Sequence, residues 1–126
     1  MSSLRAALHI EHDEAEVLQL DADNSHAVKI KAHVHPTRQH ASAVRTEHEF
    51  FAEVCDALAG ISDVLVVGSH QARAGFRHYV GQHRAALLKQ IVGWKAVDHP
   101  TEGQLVAMAR EYFIEHDNMA RTQQRM

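Results

Sequence analysis

Polar and apolar residues alternate along HAVKIKAHV (residues 26–34), with Val28, Ile30, Ala32 and Val34 on one side and Lys29, Lys31 and His33 on the other. A period of two predicts a strand with one wet face. Upstream, LRAALHI (4–10) and AEVLQL (15–20) are short apolar-rich runs separated by the polar EHDE, which predicts a β-hairpin. Pro36 stops the alternation, and HPTRQHASAVR (35–45) carries no period, so it reads as a mobile loop.

From Thr46 the period changes. TEHE is a capping box in which Thr46 accepts from the Glu49 amide and Glu49 reaches back to the Thr46 amide. Phe50, Phe51, Val54, Cys55 and Leu58 follow at helical spacing, and Gly60 stands where a left-handed residue ends a helix. VLVV (64–67) is apolar on both sides, as expected for a strand in the middle of a sheet with cover on both faces. After Gly68, Ala72, Phe76, Tyr79 and Val80 share a helical stripe that Gly81 is expected to break, with RAALLKQIV (84–92) adding a further turn or two. GWKAVDH (93–99) reads as a short strand, and Pro100 biases His99 to an extended conformation. A second capping box, TEGQ, joins Thr101 and Gln104. Leu105, Met108, Ala109, Tyr112 and Phe113 then mark a long amphipathic helix that frays over RTQQRM.

The predicted order is therefore β-β-β-α-β-α-α-β-α: an α/β domain with a mixed sheet and helices packed over it. One domain spans 1–126, with N-terminal strands in 4–34, a loop at 35–45, a core at 46–117 and a frayed tail at 118–126. A chain of 126 residues suffices for one such core. No apolar run approaches the roughly 18–20 residues of a membrane span. MSSLRAALHIEHDEAE turns acidic too early for a signal peptide. Cys55 is the single cysteine, so no internal disulfide forms, which fits a reducing, cytoplasmic setting with no membrane partner. The net charge of −3 rules out a general polycation, so any nucleic-acid contact must come from a local patch. The 12 histidines would carry that charge to +9 if all were protonated, although a solvated surface accounts for them without a function.

The glycine turn in VLVVGSHQARAGF (64–76) raises the question of a nucleotide site. A phosphate-cradling loop requires a second glycine followed by Lys and Ser or Thr, and a dinucleotide fingerprint requires glycine at position 70, which is histidine. Both fail. What remains is a helix start that favours an anion, with Ser69 and His70 beside it. On one continuous helix Arg73, Arg77 and Arg84 would lie within about 40° of one another. Together with Ser69 and His70 they form a candidate RNA- or anion-binding edge, since each guanidinium offers a planar fork of donors.

His33, His35, His40 and His48 do not form a recognisable metal-ligand pattern, and neither a metal nor a cofactor is expected. Ser69, His70, Asp98 and His99 stand at the ends of two predicted strands, where α/β folds carry active sites, and a small enzyme built on them is the alternative reading. Cys55 falls on an apolar stripe and reads as a small core residue.

Taken together, FFAEVCDALAGISDVLVVGSHQARAGFRHYVGQHRAALLKQIVGWKAVDHPTEGQLVAMAREYF resembles the third, C-terminal domain of the peptide-chain release factor of archaea and eukaryotes and of its relative Pelota. It is most similar to small bacterial translational machinery proteins with that domain. The resemblance covers residues 46–113, VDHPTEGQL being its most specific piece, and ALHIEHDEAEVLQL looks like the N-terminal hairpin of those proteins. Where the family has Gly-Pro-Gly and Ala-Lys, this chain has Gly68-Ser69-His70 and Ala72-Arg73, so Arg73 keeps the charge. The resemblance implies a three-layer α/β/α sandwich similar to the kink-turn-binding ribosomal proteins. It also implies a non-catalytic binding module partnered by the ribosome, RNA or a translation factor. The GGQ motif used for peptide release is absent. The oligomeric state is left open, a dimer included, and the open strand edge of the N-terminal hairpin is a second candidate docking surface.

Overall fold

The structure, a computed structural model, describes residues 4–21, 24–32 and 40–124. Strands β1 (Arg5–Ile10) and β2 (Glu14–Leu20) form the expected hairpin, pairing from Arg5↔Leu20 to Ile10↔Ala15. Strand β3 (Ser25–Lys31) runs antiparallel to β2. Strand β4 (Asp63–Gly68) lies parallel to β1, with Leu8 opposite Val66, and β5 (Ile91–Ala96) lies parallel to β4. The sheet is mixed, in the order β3-β2-β1-β4-β5.

Three α-helices complete the described residues: α1 (His40–Ala57), α2 (His70–His83) and α3 (Glu102–Gln124), with a short 3-10 helix at Ala85–Lys89. The alternation of the strands decides which helix covers which face. On one side Leu8, Ile10, Val64 and Val66 meet Phe50, Phe51, Val54 and Leu58 of α1 and Phe76 and Val80 of α2. On the other, Ala7, Leu18, Leu65 and Val67 meet Leu105, Ala109 and Phe113 of α3. Val64, Leu65, Val66 and Val67 are all fully buried, as VLVV demands. The result is the three-layer α/β/α sandwich.

Polar contacts fix α3 on its side. The Thr101 amide donates to Gln104 Oε1 at 2.9 Å and the Gln104 amide to Thr101 Oγ1 at 3.1 Å, the reciprocal cap that TEGQ predicts. Arg5 donates through Nη1 to Asp117 at 2.9 Å and through Nε to Asp63 at 3.1 Å, and lies over the Phe113 ring. The Asp117 hydrogen bond raises the already high pKa of Arg5, so this clamp stays charged. The Tyr112 hydroxyl donates to the Val92 carbonyl at 2.8 Å, an approach open only because residue 93 is glycine: a Cβ there would sit 2.1 Å from that hydroxyl.

The structure corrects several expectations. Helix α1 begins at His40, so Thr46 lies inside it and its capping box does not mark the start. Ala41, Ala43 and Arg45 favour helix, and that propensity extends α1 into the segment read as loop. Gly81 does not break α2, which continues to His83, and β5 starts two residues before Gly93. His99 has φ 45°, a left-handed turn residue rather than an extended one. In β3 only Ile30 is buried, because this strand is at the sheet edge and Val28 stays 37% exposed. The hairpin offers no open edge either: β2 pairs with β3 and β1 with β4, so the outer strands are β3 and β5. His33, His35 and the rest of the Pro36 segment to residue 39 lie outside the described residues.

Two substitutions test this architecture. Val66→Asp buries a carboxylate without a partner, at a cost of several kcal/mol (roughly 3–5) against a total stability of about 5–15 kcal/mol. The variant is expected to lose its cooperative melt, and a soluble variant with a sharp thermal transition contradicts the burial. Gly68 has φ 146°, and a Cβ there would stand 2.1 Å from the Ile10 carbonyl oxygen. Gly68→Ala is expected to lower stability by about 3 kcal/mol or more, whereas Gly103→Ala, with open space around it, leaves melting unchanged or slightly higher.

Candidate anion-binding cleft

The turn after β4 is built by its own backbone. Ser69 caps α2 with φ −64° and ψ 158°, its Oγ accepting from the Ala72 amide at 3.3 Å. The Gly68 carbonyl accepts twice, from the Val97 amide at 3.3 Å and from Arg73 Nε at 3.0 Å. The first bond ties the end of β4 to the segment leaving β5. The second holds Arg73 against the helix start, and its Nη donors have no partner among the described residues.

One turn further along α2, the Arg77 guanidinium lies 5.4 Å from the centre of the Trp94 ring of β5. His70, Arg73, Ala74, Arg77 and Trp94 together line a shallow cleft of about 140 Å³. The first turn of α2 carries no acidic side chain of its own, and the cleft holds none, whereas Glu11 and Glu47 line the neighbouring hollow on the other side of that turn. A cation–π contact restrains a guanidinium beside the ring without using up its N–H donors, which stay available to an oxyanion.

Arg84 does not belong to this edge. Helix α2 ends one residue before it, and Arg84 Nη2 bonds Asp56 of α1 at 2.8 Å, which raises its pKa further. Its place in the predicted arc assumed a continuous helix. Ser69 lines the neighbouring hollow with Glu11 and Glu47 and not this cleft, and its hydroxyl is engaged in the cap. Trp94 was missed by the sequence reading, although the alternation in GWKAVDH already sets it opposite Lys95, which reaches the Tyr112 ring on the other face.

The residues of the alternative, catalytic reading are only loosely assembled. Gly68 pairs with Ala96, so Ser69 and His70 share one end of the sheet with Asp98 and His99. Yet the Asp98 and His99 side chains are 95% and 91% exposed, 3.5 Å apart, and line no part of the cleft. His48 contacts the rings of Tyr79 and His83 at 5.4 and 5.6 Å. Among the described residues no three His, Cys, Asp or Glu side chains gather to hold a metal. No described helix is long and apolar enough to cross a membrane.

Among proteins of known structure, Thermoplasma acidophilum Pelota superposes with a TM-score of 0.60 at 17% identity, over 82% of this chain and 30% of Pelota. Archaeoglobus fulgidus Pelota gives 0.60 at 15%, over 99% of this chain and 38% of the other. An archaeal translation termination factor gives 0.60 at 17%, over 95% and 40%. The chain is similar to them in fold. It spans well under half the length of each. No family model matches the chain, and no curated protein sequence does. The Pelota-like sandwich thus supplies the frame, while the cleft is described by this chain's own residues.

Cys55, in the same layer as α2, is 2% exposed, and burial pushes its thiol from the ordinary 9.0 up to about 11. Between those values the unfolded chain releases the proton that the folded chain keeps. Its contribution is therefore intact below pH 9 and falls by on the order of 2–3 kcal/mol as pH rises through 11. Iodoacetamide at pH 8 is expected to leave the folded protein unlabelled and to label it in denaturant. Equal labelling rates in the two states contradict a buried, protonated thiol.

Proposed function

We propose that this domain is a non-catalytic binding module of the translation machinery that holds RNA through the cleft between α2 and β5. The observation that carries this reading is the Arg77 guanidinium over the Trp94 ring beside Arg73, in one cleft lined by no acidic residue. Guanidinium groups suit phosphate oxygens, and an aromatic neighbour suits an unpaired base. The translation setting, and with it a cytoplasmic location, draws support from the likeness in fold to Pelota and to a translation termination factor, both archaeal; that likeness lends nothing to the expected kinship with small bacterial proteins. Peptide release is left out of this proposal, since GGQ does not occur in the sequence. Arg73 and Arg77 carry the contact, His70 lies at the rim, and Ser69 and Arg84 support the fold around it. The enzyme reading has less behind it, because the Ser69 hydroxyl is committed to its cap and the Asp98–His99 pair lies in open water.

The test is co-sedimentation with ribosomes and direct binding to ribosomal RNA across a salt series. The Arg73→Glu/Arg77→Glu protein is expected to bind at least about tenfold more weakly at low salt. Its log–log salt slope should be flatter by about 1.4–1.8 for two lost phosphate contacts. Its melting should change by no more than about 2 kcal/mol, the sum of an exposed charge and the bond from Arg73 to Gly68. Equal binding by wild type and variant at every salt concentration removes the cleft as the contact.

A further inference from the structure

Helix α3 covers only part of its face of the sheet. Leu105, Ala109 and Phe113 lie over Ala7, Leu18, Leu20, Leu65 and Val67, and the apolar cover ends there. Two residues further along the same face, β1 presents His9, β2 presents Glu16 and then Glu14, and β3 presents Lys29 and Lys31. These side chains, with Glu11, border a concavity of about 220 Å³. His9 Nε2 and Glu11 Oε2, 3.1 Å apart, close one wall.

The register sets Glu16 directly opposite Lys29 and Glu14 opposite Lys31. Opposite charges so placed ordinarily pair across a sheet. Here neither does: among the described residues no ion pair joins Glu16 to Lys29 or Glu14 to Lys31. In addition, Glu16 Oε1 is buried, and no donor of the described residues reaches it. A shielded carboxylate oxygen without a donor is costly, and a positive charge brought into the adjoining hollow would offset that cost. With Glu11 turned to His9, the carboxylates of Glu14 and Glu16 and the ammonium groups of Lys29 and Lys31, not paired with one another around this hollow, complement a ligand that carries both charges itself.

We infer that this hollow binds a small zwitterion of the α-amino-acid class, its ammonium on Glu16 and Glu14 and its carboxylate on Lys29 and Lys31. The site lies on the α3 face, whereas Arg73, Arg77 and Trp94 lie on the α2 side, so the two sites stand or fall separately.

The test is an amide-resolved NMR titration of the intact chain with the common free L-amino acids, each to about 10 mM, which covers millimolar affinity. Propylamine and propionate serve as single-charge controls. At least one amino acid is expected to give saturable shifts centred on His9, Glu16 and Lys29, with each control at least about tenfold weaker. Glu16→Gln and Lys29→Gln should each weaken that binding about tenfold while the rest of the spectrum stays in place. If Glu16→Gln fails to fold, Lys29→Gln, at an exposed position of the edge strand, decides alone. The inference is overturned by the absence of any saturable shift, by propylamine or propionate binding as tightly as the amino acid, or by folded variants that bind as wild type does. The last result would mean that Glu16 is merely hydrated.

Discussion

Strands β1 and β4 run parallel side by side, and their central residues are buried on both faces. Val64 and Val66 point to the α1–α2 layer, and Leu65 and Val67 to α3. Next to them Leu8 and Ala7 divide in the same way. A pair of strands buried on both sides needs a layer of helix on each side, so the three-layer arrangement follows from this pair. Parallel pairing also sets the ends of β4 and β5 level, with Gly68 beside Ala96. That places the start of α2 next to the turn that leads into α3. The cleft lies just below that junction.

The polar groups divide by what this core leaves over. Helix α3 has enough apolar side chains for the central strands but not for the outer end of the hairpin. Arg5, Tyr112 and Arg110 anchor it toward the opposite end of the sheet, through Asp117 and Asp63, Val92, and the turn at Asp21 and Asn24. The face it leaves open is furnished with charge. On the opposite face α2 buries Ala72, Phe76 and Val80, so Arg73 and Arg77 are turned to the side of that stripe and meet β5. Both hollows are consequences of where the helices run out of apolar surface.

Features governed by local chemistry were legible in the sequence. The reciprocal cap at Thr101 and Gln104 depends on four residues, and the buried stripes of α1 and α2 depend on periodicity alone. Each is found as expected. The start of α1 was missed because the good cap at Thr46 competes with Ala41, Ala43 and Arg45 before it, residues that favour continuing the helix. Arg84 was misassigned because an arc drawn from sequence spacing assumes that the helix continues, and Asp56 on another helix cannot be seen from spacing. Trp94 and Glu16 belong to the same class. Their importance arises from partners that are met, or not met, across the sheet, and strand order is decided by the whole core. The left-handed turn at His99 is a further case, since Pro100 restricts the right-handed helical region without selecting between the conformations that remain.

The glycine turn shows how architecture and binding surface are joined. Gly68 stands where it does because the Ile10 carbonyl leaves no room for a Cβ, and its φ of 146° suits no other residue. That conformation directs its own carbonyl toward two donors, the Val97 amide and Arg73 Nε. The same atom therefore closes the β5 turn and orients the first cation of the cleft. A phosphate-cradling loop uses glycine so that a ligand can approach the backbone; here the neighbouring strand makes that approach. Anion binding then falls to side chains, with Arg73 held by the turn and Arg77 held by Trp94. A side-chain site of this kind supplies charge and a stacking surface without enclosing its ligand, which suits one segment of a long polyanion better than a free nucleotide.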